Sequence, residues 1–253
     1  MPARGGVPSR RPASRRVADP DRPPRPVRLG LLGGFALETD GDTVTVPLHA
    51  QRLVAFLALQ GRPLQRAYVA GRLWTELSQS RAHASLRSTL WRIGRLPCAA
   101  VEATTTHLAL AAGLAVDGRE LEACASRVLP DGDATAAEVD LLVHAGDLLP
   151  DWYEDWVVHE RERLRQLRLL ALEAAADALV AERAYAEAVV AALAVVAADP
   201  LRESAYRLLI RAYCGEGNTG EALRQFGLFR DVLHRELGLE PSARMQELVH
   251  GIV

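Results

Sequence analysis

The stretch AYAEAV at residues 184–189 returns as NTGEAL at residues 218–223, 34 positions further on. The register sets Glu187 over Glu221 and Ala188 over Ala222, and it also holds for Ala178 and Ala212. A 34-residue period with small residues at matching positions is the spacing of tetratricopeptide-like helical hairpins, which bury their apolar faces only by stacking on one another. Pro200 closes the first unit. Upstream, VDGRELEACASRVL and ATAAEVDLLVHAG read as amphipathic helices joined at Pro130-Asp131-Gly132, and Pro150 is expected to open a long helix. From residue 117 to residue 253 the pattern is that of an all-α repeat domain, a scaffold that offers a groove to a peptide or protein.

The front of the chain follows a different period. VRLGLL, GFALET and TVTVP are short runs separated by Gly33 and by Asp40-Gly41-Asp42, and they read as three antiparallel strands. HAQRLVAFLALQ places Leu53, Val54, Leu57 and Ala58 on one helical stripe that Gly61-Arg62-Pro63 stops, and QRAYVAGRLW repeats the pattern with Val69, Leu73 and Trp74. RAHASLRSTLWRIGRL forms a third helix, which Gly94 and Pro97 should fray. VEATTTHLALA then alternates around a Thr104-Thr105-Thr106 tip. Strands, three helices and a hairpin make a winged helix-turn-helix over residues 27–116, whose third helix enters the major groove. The fold class is mainly α with a small β component, and 253 residues suffice for two modest domains. Residues 1–26, rich in Pro and Arg, read as a disordered basic tail.

Every one of the 30 basic side chains is arginine, so arginine alone carries little information and its position must be weighed against nearby acids. Residues 29–116 hold eight Arg against five acids, whereas residues 117–253 hold 14 Arg against 25 Asp and Glu. A positive front and an acidic back imply separate partners. Within the third helix, Leu86, Leu90 and Ile93 gather on one side. Arg81, Arg87, Ser88, Trp91, Arg92 and Arg95 lie on the other, with no acid between Arg81 and Leu96. Such a face would repel itself in water and matches a polyanion, since guanidinium serves both phosphate and the guanine edge. Packing under the wing or against the second domain is the favoured place for Trp91.

Enzyme chemistry finds little support. No Gly-x-Ser-x-Gly, His-Glu-x-x-His or Gly-Lys-Ser/Thr phosphate loop occurs, Gly30, Gly33 and Gly34 read as turn glycines, and no cofactor or metal site is expected. Cys98, Cys124 and Cys214 are scattered and read as buried reduced thiols. His107 falls on the wing strand, and His144, His159, His234 and His250 sit one to a helix in surface or capping roles. Asp151, Glu154, Asp155 and Glu160 read as solvated acids beside Arg161 and Arg163, and Trp152, Tyr153 and Trp156 as an aromatic core where domains meet. Nothing resembles a membrane span or a secretory signal, which points to the cytoplasm, with nucleoid association.

GDLLPDWYEDWVVHERERL at 146–164, EGNTGEALRQF at 216–226 and ELGLEPS at 236–242 resemble the SARP-type transcriptional regulators, in which a response-regulator-like winged helix precedes a bacterial transcriptional activator domain. The similarity covers about residues 27 to 253. It implies an activator that binds promoter DNA and contacts RNA polymerase, with the repeat domain supporting self-association. On matching positions it gives recognition to Arg87, Ser88, Trp91 and Arg92, and the wing role to Thr105 and Thr106. Family members commonly carry Arg-Leu-Arg late in the recognition helix, where this chain has Arg92-Ile93-Gly94-Arg95. Neither a receiver module before residue 27 nor a nucleotide-binding module after residue 253 is expected. The other reading is a helical-repeat adaptor whose winged helix no longer reads DNA, and the acid-free third helix separates the two.

Overall fold

The computed structural model describes residues 27–251. Strands β1 (Val27–Gly30), β2 (Ala36–Thr39) and β3 (Asp42–Thr43) form an antiparallel meander, with Leu29 opposite Leu37. The β2–β3 turn takes Asp40 and Gly41 to φ of 57° and 83°, the left-handed pair that a two-residue hairpin requires and that an Asp-Gly sequence accepts. The third strand is shorter than TVTVP suggested, because Pro47 already caps helix α1 (Leu48–Gln60). A two-residue strand, β4 (Leu64–Gln65), leads into α2 (Arg66–Leu73) and α3 (Gln79–Ile93). The hairpin β5 (Val101–Ala103) and β6 (His107–Leu110) follows, and β4 adds to its edge in the order β4-β6-β5. The chain then returns as β7 (Ala115–Val116), parallel to β1.

The rest is helical: α4 (Asp117–Val128), α5 (Ala136–His144), α6 (Asp155–Ala181), α7 (Tyr185–Ala198), α8 (Glu203–Gly215), α9 (Thr219–Leu237) and α10 (Ala243–His250). Helices α6–α7 and α8–α9 are the antiparallel hairpins that the 34-residue register called for. Ala188 and Ala222, in the first turns of α7 and α9, are both fully buried. The register extends to the backbone. Arg183 (φ 63°) and Gly217 (φ 79°), 34 residues apart, occupy the same left-handed step between paired helices.

Two expectations change. Pro150 does not open the long helix, which begins at Asp155. Residues 147–149 instead run beside the first sheet, where Gly33 N donates to Asp147 O and Leu149 N to Leu31 O, both at 2.8 Å. The carbonyls of Leu148 (2.6 Å), Trp152 (2.7 Å) and Leu149 accept from the guanidinium of Arg161. Nor do the two modest domains that the length allows keep separate cores: among the described residues one contiguous buried cluster runs from Leu29 to Leu209, with a small satellite around Tyr206, Phe229 and Met245. Helix α1 lies inside this cluster and is buried nearly all round, with Ala55 and Phe56 enclosed as well as the expected stripe.

The junction is held by polar groups as well. The Asp117 carboxylate, at the start of α4, accepts from the N–H groups of Leu31 (2.8 Å) and Leu32 (3.0 Å). Arg119 closes the end of α1 through Ala58 O at 2.7 Å, and Arg52 pairs with Glu154 at 2.7 Å. Trp152 stacks on Phe35, and Trp156 meets Phe56 edge-on with centroids 5.1 Å apart, as the aromatic reading expected. Tyr153 does not join them and is 82% exposed.

Candidate nucleic-acid interface

Helix α3 is built as an amphipathic bar. Ala82, Leu86, Thr89 and Ile93 are buried and Leu90 is half-buried, which fixes the helix's rotation about its axis. The opposite arc is then forced outward. Arg81, Arg87, Ser88, Trp91, Arg92 and Arg95 are all exposed, so every residue that the sequence placed on this face is brought together there. Among the described residues none of the four arginines has an ion-pair partner. The helix proper ends at Ile93 with Gly94 as cap, and Arg95 and Leu96 continue in a tighter turn through bonds to Arg92 O and Ile93 O.

Trp91 departs from its expected place. It is 59% exposed, and the Arg95 guanidinium lies over its ring, 3.6 Å from the centroid. The buried side of the helix is held by Leu86 and Ile93, with Leu90 half-buried. The stack holds the Arg95 side chain beside the exposed face although its backbone has left the helix.

The hairpin tip is equally ordered. Thr104 Oγ1 accepts from the N–H groups of Thr106 (3.3 Å) and His107 (2.9 Å), and Thr106 Oγ1 bonds His107 Nδ1 at 2.9 Å. Thr105 and Thr106 are exposed at the tip. Residues missed in the sequence fix the tip's position. Arg66 N donates to Thr106 O at 2.9 Å and Arg66 Nη1 to Thr104 O at 3.0 Å, so the start of α2 is bolted to the wing. The signal for this was weak, because β4 contributes only the Leu64–Leu108 and Gln65–His107 pairs. Ala84, exposed among the arginines of α3, was also missed.

The other candidates are structural. Glu160 pairs with Arg163 at 2.7 Å and Glu154 with Arg52, so these acids are less free than solvated side chains, and Arg161 serves carbonyls instead of carboxylates. His144, His159 and His250 each place Nδ1 against the carbonyl one helical turn earlier. Cys124 is buried, whereas Cys98 and Cys214 are only half-buried, and burial raises all three thiol pKa values. Among the described residues no group of three or more His, Cys, Asp or Glu side chains is arranged to hold a metal ion, and no helix is long and apolar enough to cross a membrane.

Comparison with known proteins gives this geometry a family. Residues 116–253 match the bacterial transcriptional activator domain. The chain is similar to the regulatory protein AfsR of Streptomyces coelicolor, 30% identical over 240 residues that cover 90% of this chain and 24% of that protein. It is also similar to the regulatory protein DnrI of Streptomyces peucetius, 34% identical over 109 residues, 43% of this chain and 40% of that one. It thus spans about a quarter of the length of AfsR. Among solved structures, Mycobacterium tuberculosis EmbR in complex with a low affinity phosphopeptide superposes with a TM-score of 0.69 at 23% identity, covering 90% of this chain and 65% of that one, a likeness of fold. A winged helix followed by a helical-repeat segment that matches the activator domain over more than half of the chain places this protein in the SARP-type regulators, the family that carries the bacterial transcriptional activator domain.

Proposed function

We propose that this chain is a sequence-specific DNA-binding transcriptional activator, with residues 27–116 as the DNA-reading unit and residues 117–253 as the activator domain. Helix α3 lies in the major groove of promoter DNA. Arg87, Ser88, Trp91 and Arg92 face the base edges, Arg81 and Arg95 meet phosphates, and Thr105 and Thr106 rest on the backbone beside the groove. The carrying observation is the exposed, acid-free arc of α3, whose four guanidiniums have no ion pair among the described residues, where most of the other arginines have one. The acidic residues 117–253, with 14 Arg against 25 acids, repel DNA and meet proteins: RNA polymerase and a second copy of this chain. The setting is the cytoplasm, at the nucleoid. No catalytic residue and no cofactor is assigned.

The test is selection of duplexes from a random pool by the full-length protein, followed by titration of the enriched site against a scrambled one. Enrichment of one sequence family, bound at least a hundredfold more tightly than scrambled duplex, is the expected result. Equal affinity for all duplexes, or none, would refute sequence-specific reading.

A further inference from the structure

The exposed arc of α3 has relief as well as charge. At about 100° per residue, Ser80, Ala84, Ser88 and Trp91 follow one another along its centre line, which Arg95, past the helix end, continues through its stack on Trp91, while Arg81 and Arg92 stand on one shoulder and Arg87 on the other. The first three of the centre-line residues are small and exposed. The last two are large, and the Arg95 guanidinium stacked on Trp91 raises them further. The face is therefore low in its N-terminal half and high at its C-terminal end, and the lowest apolar point is the methyl group of Ala84, between Arg81 and Arg87.

We propose that Ala84 is the point at which α3 comes closest to the bases, and that it reads a thymine through the 5-methyl group. This inference rests on the DNA-binding reading. A helix in the major groove contacts base edges chiefly with its N-terminal residues, and an alanine methyl matches the thymine methyl, the one apolar group that bases present there. The Trp91–Arg95 ridge cannot enter to the same depth, so Trp91 faces the base edges from nearer the mouth of the groove while Arg95 reaches the phosphates, and the N-terminal half tilts inward. Alanine is common in this chain, so its identity alone says little. Its place does, because a longer side chain at position 84 would suit the helix equally well and would fill the notch.

The experiment uses the full-length protein and the site enriched by selection. Replacing each thymine by uracil removes one methyl group at a time. At one position uracil should weaken wild-type binding about fourfold, the worth of one buried methyl group, and the same replacement should leave Ala84→Gly unchanged. Ala84→Gln, which keeps helix propensity and net charge, should lose at least tenfold on the enriched site while retaining its affinity for scrambled duplex and its salt slope. Uracil tolerated at every position, or Ala84→Gln within twofold of wild type on the enriched site, overturns the assignment and leaves DNA binding intact. Failure of the wild type to enrich any sequence overturns sequence-specific reading, and this assignment with it.

Discussion

The arginines of α3 and those of the helical half are the same residue type put to opposite uses. Behind residue 117, Arg202 lies 2.8 Å from Glu173 with both side chains mostly buried. Arg163 reaches Glu122 and Glu160 at 2.7 Å, and Arg165 reaches Glu162 at 2.9 Å. Where acids are absent, carbonyls take their place: Arg168 donates to Leu142 O (2.6 Å) and Val143 O (2.8 Å), closing the end of α5. On α3 none of this happens among the described residues, and Arg81, Arg87 and Arg92 stand exposed without an ion pair. A guanidinium whose geometry is already saturated contributes to the fold, whereas one held out on a rigid, acid-free face is available to an external anion.

That contrast can be broken by substitution, and the largest effect belongs to the helical half. Arg161→Ala strips three carbonyls of their donor at the junction of the two halves, and should cost about 3 kcal/mol of stability, read as a lowered midpoint in urea. A loss under about 0.5 kcal/mol would mean that these carbonyls are satisfied by water. On α3, Arg87→Ala or Arg92→Ala should leave the urea midpoint unchanged yet cost about 1–3 kcal/mol of binding on the enriched site and relax preference at one base position. Arg81→Ala and Arg95→Ala should weaken all duplexes alike and lower the salt slope by about one each. Either arginine class behaving as the other would erase the distinction.

Two smaller effects sharpen it. Arg183 holds a left-handed backbone that Gly217 holds one repeat later, so Arg183→Gly should stabilise the protein by roughly 1 kcal/mol and Gly217→Ala should destabilise it by a similar amount. Thermal unfolding reads both, and the idea fails if the two variants shift in the same direction. The smallest effect is a pH dependence confined to the paired half. Glu138, Glu162 and Glu221 are each held down to about 2 from 4.5, chiefly by hydrogen bonds from Arg127, Arg165 and Arg224 respectively. A carboxylate whose pKa is depressed on folding stabilises above its unfolded value and loses that contribution as pH falls through its folded one. The midpoint should therefore decline between about pH 4.5 and pH 2, and Glu138→Gln should flatten the decline.

What the sequence carried well was whatever repeats or alternates. The 34-residue register located the hairpins, to which the structure adds the shared left-handed step at Arg183 and Gly217, and the rotation of α3 followed from Leu86, Leu90 and Ile93. What it carried poorly depends on contacts between distant segments. Pro150 looked like a helix start because proline favours that position, yet residues 147–149 were claimed by the edge of the first sheet. Trp91 looked like a packing residue because tryptophan usually buries itself, yet Leu86 and Ile93 are the large residues that α3 buries, and the Trp91 ring lies exposed under Arg95. The Arg66 bolt rests on two backbone carbonyls at the wing tip, a partner no side-chain pattern announces.

The most direct test of the contrast is the salt dependence of duplex binding for the full-length wild type and for a variant with Arg81, Arg87, Arg92 and Arg95 all changed to alanine. Urea unfolding of both proteins is recorded alongside. The expected result is a variant that unfolds at the wild-type urea midpoint but binds every duplex more weakly and no longer prefers the enriched site, with a salt slope shallower by about two, the share of Arg81 and Arg95. A variant that binds duplex DNA with the wild-type slope, or that unfolds several kcal/mol more easily, would show that the arginines of α3 serve the fold and that DNA is held elsewhere.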